Sequence, residues 1–443
     1  MKFKKLFIKM PKDAGWLLPG LEVKRWFALL IVGAVLATIG LCVITDLKPV
    51  YSLINAIMNV GQMLPTTIIG WGFIIVGALM FCFGWLKTNY SMLDANNERN
   101  RHAVLEDLFR RRKLNRGPKI VAIGGGTGLS TMLKGIKKIT NNLTAVVTVG
   151  DDGGSSGKLR EEMGVLPPGD IRSCIAALAD DEDLVAKLFQ YRFTDCEGLK
   201  GHSFGNLFLT AMCAITGNMV KAVQESSKVL FIRGRVLPST LDDMRLVAEM
   251  EDGTIIKGES NIPESKKKIK RLFTEPNNCK ALNDVLIAIK EADLIILGPG
   301  SLYTSVIPNL LISDISKAVN DSKAKKIYVC NIMTQPGETD GFAVSDHLKT
   351  LISHAKYEKI VDAVLVNSQL PEKLIAPYKN AGSVPVKVDT DVIEKMGIEI
   401  VQKNLVDDRR FEDGHDSFVR HSPNRLARVI YYWFRKKEKK DRR

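Results

Sequence analysis

The chain has 443 residues, with 63 Lys and Arg against 49 Asp and Glu, a net charge of +14. That length accommodates one large domain with appendages or two domains, and a good core is within reach. Its seven cysteines are odd in number, scattered, and contain no C-x-x-C pair, which excludes a disulfide framework and a cysteine zinc site. The positive charge sits outside the body of the chain: residues 1–25 carry seven Lys/Arg against two acids, residues 87–119 nine against four, and residues 409–443 twelve against five. Charge that flanks apolar stretches, instead of coating a folded domain, argues against a nucleic-acid partner and for a membrane-proximal one.

Taken in order, residues 1–25 read as a basic cytoplasmic tail. Trp26 to Thr45 is twenty residues without a charge, the length a helix needs to cross a bilayer. Thr66 to Leu86 is a second charge-free run. Residues 26–87 therefore read as a two-helix transmembrane hairpin, with spans at about 26–46 and 65–86 and a loop from Asp46 to Gln62. A cleavable signal peptide is the alternative, but its apolar region would be too long. Basic residues crowd the outer ends of the hairpin, so the positive-inside rule puts both termini and the main domain in the cytoplasm, at the cell membrane. Residues 88–117 read as a juxtamembrane helical linker ending in the basic run Arg110 to Lys113.

At Lys119 a short β-branched run, Ile120 to Ile123, breaks into Gly124-Gly125-Gly126-Thr127-Gly128-Leu129-Ser130. This is the pattern of a buried parallel strand feeding a helix, with glycines that let backbone N–H groups approach an anion at the helix N-terminus. A tight strand-to-helix turn without a ligand gives the same pattern. Leu129 stands where the dinucleotide fingerprint has its third glycine, and the Lys-Ser/Thr ending of a P-loop is absent. Thr144 to Val149 is a second strand and ends in Gly150-Asp151-Asp152-Gly153-Gly154-Ser155-Ser156-Gly157. An acid there is placed for a ribose hydroxyl or, paired, for Mg2+ beside phosphates. An exposed polar turn is the plainer reading, and Lys158 and Arg160 are placed to complement phosphate.

Asp170 reads as the cap of an apolar helix from Ile171 to Leu178, and Arg172 in its first turn opposes the helix dipole, which points to an anionic partner. His202, Ser203 and Asn206 either line a pocket or cap the helix Leu207 to Ile215. Residues 228–275 change character: Val229 to Ile232, Arg235 to Leu237 and Leu246 to Met250 alternate as strands, and Asp252-Gly253 signals a hairpin, so this is a β insertion within an α/β body. Asp293 to Leu297 resumes the buried parallel type and meets a second glycine loop, Gly298-Pro299-Gly300-Ser301. Two further strands end at Asn331 and Asn367, so polar loops converge on one rim. Residues 409–443 form a basic tail in which Leu426, Val429, Ile430 and Trp433 share a helix face, the pattern of an interfacial helix. The fold class expected is α/β, a Rossmann-like doubly wound, mostly parallel sheet with a β insertion, preceded by the transmembrane hairpin.

Assembled, residues 118–408 resemble the YvcK-like branch of the CofD-like family, known as gluconeogenesis factors. The resemblance rests on Gly124 to Ser130, Gly150 to Leu159, Pro167 to Arg172, Gly201 to Asn206, Val236 to Pro238, Gly298 to Ser305 and Asn331 to Gly341. It implies a Rossmann-like fold, a nucleotide-sugar ligand such as UDP-N-acetylglucosamine, and a role linking carbon metabolism to cell-wall synthesis and cell shape. CofD enzymes on the same scaffold move a phospholactyl group from a nucleotide-activated donor, so a transferase is the rival function; no settled reaction comes with the YvcK-like branch. On this reading Gly124, Gly125, Gly126, Thr127, Gly128, Ser130, Gly298, Gly300 and Ser301 hold phosphates. Asp151 or Asp152 takes ribose or Mg2+, and Ser155, Ser156, Arg172, His202, Asn206 and Asn331 line the ligand. Partners expected are a nucleotide-containing small molecule, the plasma membrane, a wall-synthesis or regulatory protein and a second copy of the chain. A tubulin-like GTPase is disfavoured because its glycine box lies well inside its domain, and an NAD oxidoreductase because Leu129 breaks the fingerprint.

Overall fold

The computed structural model describes residues 31–36, 40, 43–44, 47–60, 68, 71–72, 74–81 and 83, and then 110–441 apart from 181, 196, 369–381 and 407–418. The chain divides into two compact units, Met1–Lys113 and Leu114–Arg443. In the first, residues 31–36 and 74–81, inside the two expected spans, are helical and expose Ile31, Val35, Leu36, Ile74, Leu79 and Phe81. Lys48–Val60 is also a helix, where a loop between the spans was expected. Among the described residues no single helix is long and apolar enough to cross a membrane. The tail 1–25, much of both spans and the linker up to residue 109 lie outside the described residues, as do 409–418.

The second unit is built on a seven-stranded sheet. Its strands are β1 (Ile120–Gly124), β2 (Leu143–Val147), β3 (Arg235–Pro238), β7 (Leu294–Leu297), β8 (Lys325–Val329), β9 (Ala363–Asn367) and β10 (Glu399–Lys403). β1, β2 and β7 are buried at every position, which is why their sequences are apolar without alternation. The order is β3-β2-β1-β7-β8-β9-β10, and every pairing is parallel. The chain winds outward from β1 through β2 to β3, then returns to β7 on the other side of β1 and winds away again. This is the doubly wound arrangement, and its strand order reverses between β1 and β7.

A separate antiparallel sheet, β5-β4-β6, is made by β4 (Arg245–Met250), β5 (Ile255–Lys257) and β6 (Ile269–Glu275). The insertion therefore begins later than residue 228. Val229 ends a helix, Met219–Val229, and Arg235–Pro238 pairs with Thr144–Val147 as an edge strand of the main sheet, burying Val236 and Leu237. Strand propensity in 235–238 is real, but which sheet it joins depends on a neighbour ninety residues away in sequence.

The carboxyl-terminal element differs most from the sequence reading. Pro423–Asp441 is a helix, but Leu426, Ala427, Ile430, Trp433 and Phe434 are buried in the main core instead of facing a bilayer. It packs on the Gly126–Ile136 helix, so closely that a Cβ on Gly135 would fall 2.0 Å from the Pro423 carbonyl oxygen. Trp433 donates from Nε1 to Glu399 at 3.1 Å, which ties the helix to β10. The domain thus runs past residue 408 to include this helix. An amphipathic stripe reports that one face is covered; it does not report by what.

Candidate functional site at the strand-order reversal

The glycine loops after β1 and β7 lie side by side where the strand order reverses, the position at which open α/β sheets bind ligands. The glycines of the first loop are required by what packs against them. A Cβ on Gly128 would sit 2.6 Å from the Pro299 carbonyl oxygen, and one on Gly125 would sit 2.3 Å from Asp170 Oδ2. Gly126 has φ +63, and it opens the helix Gly126–Ile136. The absent third glycine has a plain reason: Leu129 is fully buried, part of the helix core beneath the loop.

Beyond these loops a cleft of about 460 Å3 is lined by Thr127, Gly128, Thr131, Pro299, Gly300, Ser301, Asn331, Gln335 and the segment Val419-Arg420-His421. Ile332, Met333, Pro336 and Val419 give it apolar walls, and among the described residues Arg420 is the single Lys or Arg in that lining. Asn331 donates from Nδ2 to Gln335 Oε1 at 2.9 Å. Two expected phosphate groups turn inward. Ser130 Oγ donates to the Thr127 carbonyl at 3.0 Å, and Ser301 Oγ donates to the buried carboxyl of Glu338 while accepting from Thr304 N and Oγ1 at 3.1 and 2.7 Å. Ser301 caps the helical turn that follows, so its contribution to the cleft is its backbone and not its hydroxyl. His421 is held neutral: burial takes its imidazole down to about 4.

The other expected residues gather around a second centre, on the β2 side of the Gly125–Gly126 turn. Ser155 Oγ lies 3.0 Å from His202 Nδ1 and accepts from Asn206 Nδ2 at 3.0 Å. The Oδ1 of Asn206 is buried without a hydrogen-bond partner. Ser203, the true N-cap of the helix Phe204–Thr216, accepts from Arg172 Nη1 at 2.7 Å. Burial, and then the charge of Arg192, lowers the Arg172 pKa, with Asp170 and Asp151 pulling it back. Ser156 is buried beside Gly169, where a Cβ would meet its Oγ at 2.5 Å and Asp151 Oδ2 at 2.8 Å.

Two acids here have roles the sequence reading does not give them: Asp170 reads there as a helix cap, and Glu259 is not singled out. Asp170 sits in the first turn of Gly169–Leu178, whose N-cap is Pro168, and its carboxyl faces Gly125 and Gly126 instead of capping. Burial, reinforced by Asp151, pushes its pKa up to about 7. Glu259 comes from the β insertion, and burial followed by Asp151 pushes it to about 8, against a hydrogen bond with Thr304. The local sequence marks Asp170 only as a helix start and Glu259 not at all, since both matter through what the fold stacks on them.

The adjacent acids divide. Asp152 accepts from Glu259 N, Ser260 N and Ser260 Oγ, each at 2.9 Å, and so clamps the insertion onto the β2 loop. Asp151 Oδ1 accepts from Gly153 N at 2.9 Å. Their hydrogen bonds therefore go to different elements, Asp152 to the β insertion and Asp151 to its own loop. Among the described residues no group of three His, Cys, Asp or Glu side chains is placed to hold a metal. Arg160 is likewise committed, bonding Asp243 Oδ1 from Nε at 2.8 Å and the Met244 carbonyl from Nη2 at 2.7 Å, and is not placed to complement a phosphate.

A doubly wound parallel sheet with a loop-lined cleft at its reversal point defines a Rossmann-like protein. The CofD family, described as 2-phospho-L-lactate transferase CofD, matches residues 120–406. The chain belongs to that family, in its gluconeogenesis-factor branch. It is 46% identical over 314 residues to the gluconeogenesis factor of Bacillus subtilis, covering 71% of this chain and 97% of that one. A protein of Nostoc sp., provisionally described in the same way, is 49% identical over 424 residues, 95% of this chain and 92% of its own length. An X-ray structure of a Bacillus halodurans protein superposes with a TM-score of 0.68 at 45% identity, over 71% of this chain and all of that one.

Proposed function

We propose that this chain binds a nucleotide sugar, UDP-N-acetylglucosamine being the representative, and acts as a membrane-tethered regulator that links carbon metabolism to wall synthesis. The observation that carries the binding is the cleft itself. Backbone at the start of the Gly126–Ile136 helix and in the Gly298–Ser301 loop faces a cavity with apolar walls suited to a base and one cation, Arg420, suited to a diphosphate. The regulatory role draws on the description its relatives carry as gluconeogenesis factors. Tethering draws on the two charge-free runs and on the apolar side chains exposed along residues 31–36 and 74–81.

Isothermal titration with UDP-N-acetylglucosamine tests the binding. Arg420 is exposed, so Arg420→Ala is expected to weaken binding about tenfold, near 1.4 kcal/mol, at an unchanged melting temperature. No binding by the wild type, or equal binding by Arg420→Ala and by Gly126→Val, sinks the proposal.

A second reading, a CofD-type transferase, is favoured by one observation: the half-buried carboxyls of Asp170 and Glu259, shifted to about 7 and about 8, are poised to exchange protons near neutrality. It requires nucleotide release when an activated donor and a hydroxyl acceptor are mixed, with loss on Asp170→Asn. Sustained absence of turnover removes it.

A further inference from the structure

The Pro423–Asp441 helix buries one face in the core, and that fixes which side chains its other face presents. Arg428, Tyr432, Arg435, Lys436, Lys439 and Lys440 are all exposed. Their spacing, i, i+4, i+7, i+8, i+11 and i+12, sets them on one stripe opposite Leu426, Ile430 and Trp433, along about 18 Å of helix at about 1.5 Å per residue. By the same spacing both acids of the helix lie off the stripe. Glu438 accepts from Arg435 Nη1 at 2.6 Å on its flank, and Asp441 pairs with Lys325 at 2.7 Å. Lys138, on the helix beneath, donates from Nζ to Asn424 Oδ1 at 3.0 Å and adds a cation at the amino-terminal end of the stripe.

Cations at the carboxyl end of a helix complement its dipole, and Lys439 and Lys440 in the last turn do so. That effect fades within one turn, so it gives no reason for Arg428, Arg435 and Lys436 to share the same face. Residues 423–443 hold nine Lys/Arg against two acids, and such a density repels itself unless an anionic partner offsets it. A straight row of cations with an exposed tyrosine among them matches a flat field of phosphates that borders an apolar layer, which is a lipid headgroup surface. Each base near an anionic bilayer strengthens attachment about fivefold, and Tyr432 brings the kind of amphipathic ring that sits at headgroup level. A single nucleic-acid strand offers phosphates too, but it is gripped by several stacking aromatics, and this stripe has one.

We propose that this stripe docks the second unit on anionic lipid headgroups, while the apolar face of the same helix stays in the protein core. The proposal takes its setting from the membrane-tethered reading above, because a tether keeps the domain beside such a surface. The stripe itself needs no tether. Its attachment is electrostatic, so salt releases it, whereas a spanning helix stays inserted.

The segment 114–443 is a compact unit, and the Bacillus subtilis relative consists of little more than its counterpart, so the segment is tested alone. It is mixed with vesicles of equal parts phosphatidylglycerol and phosphatidylcholine, or of phosphatidylcholine only, and sedimented. Two variants are compared with the wild type. One changes Arg428, Arg435, Lys436, Lys439 and Lys440 to Gln. The other removes the same charge elsewhere by changing Lys266, Lys267, Lys268, Lys270 and Arg271 to Gln, all exposed in the β insertion. Wild type is expected to sediment only with the anionic vesicles and to be released when salt rises from about 0.05 M to about 0.5 M. The stripe variant is expected to lose more than about tenfold in vesicle affinity at an unchanged melting temperature, and the insertion variant less than about twofold. Equal losses in the two variants overturn the proposal, because net charge alone would then be responsible. No wild-type binding, binding that survives high salt, or tighter binding to a single-stranded oligonucleotide than to vesicles also overturns it. If the full chain instead proves to have no spanning anchor while the segment binds vesicles as expected, the tether falls and the stripe stands.

Discussion

Asp152 accepts three hydrogen bonds from Glu259 and Ser260, and without them a loop of the β insertion loses its attachment beside the site. Asp152→Ala is expected to lower stability by roughly 2–4 kcal/mol, because charge-assisted bonds to backbone donors are lost together. Chemical denaturation of the second unit measures this; a ligand-only role for Asp152 would leave the midpoint where it is. Asp170 tells the opposite story. Its folded-state pKa, about 7, lies above the unfolded value of 3.8, so the native state holds the proton more tightly. For such an acid the native state is favoured below the unfolded pKa, and stability falls as pH rises from about 4 to about 7. Asp170→Asn removes that penalty. Its stabilisation should grow across this window to a few kcal/mol and level off above pH 7, as thermal denaturation at several pH values would record. A constant difference at all pH values would refute the shift. Neither role is legible locally, because Asp152 and Asp170 look like any acid in a glycine-rich turn or a helix's first turn. Their functions come from Glu259, Ser260, Gly125 and Asp151, which the fold delivers from elsewhere.

At the scale of elements, the Pro423–Asp441 helix is the closing piece of the parallel domain. It covers the Gly126–Ile136 helix, and through Trp433 and Glu399 it reaches the outermost strand. Trp433→Ala should cost about 3–5 kcal/mol, the range for truncating a buried aromatic. Removing residues 423–443 should leave a domain without a cooperative thermal transition; a truncated chain that melts like the full one would restore the interfacial reading. The strands show the reverse balance. Ile120–Gly124, Leu143–Val147 and Leu294–Leu297 are readable because a strand covered on both faces must be apolar throughout. β10, with the pattern Glu-Ile-Val-Gln-Lys at the sheet edge, is half exposed and carries no such signal.

At the scale of the whole molecule the chain has two units, and the second matches the Bacillus subtilis and Bacillus halodurans relatives over nearly their full lengths. The Nostoc relative extends the match across 95% of the chain, so the first unit recurs in part of the branch. If residues 26–87 hold the protein at a membrane, the full chain should stay in the pellet after alkaline carbonate washing. The segment 114–443 should remain in the supernatant with its nucleotide-sugar affinity unchanged. Recovery of the full chain in the carbonate supernatant would exclude a spanning anchor.

What the sequence determined by itself was local or compositional. It marked the glycine loops after two buried strands, the α/β class, the charge-free runs near the amino terminus and the ordered motifs of the CofD family. Each of these is written in contiguous residues, because burial on two faces and close backbone approach constrain every position of a short segment. Tertiary structure decided which residues share a site. It put Thr127, Gly300, Asn331 and Arg420 around one cleft, bonded Ser155 to His202, and set Glu259 within reach of the charges of Asp151 and Asp170. It also turned Ser130 and Ser301 inward, and it gave the carboxyl-terminal helix to the core. An amphipathic face or a polar loop states only that something must cover or contact it, and the identity of that neighbour is fixed by contacts between segments far apart in the chain.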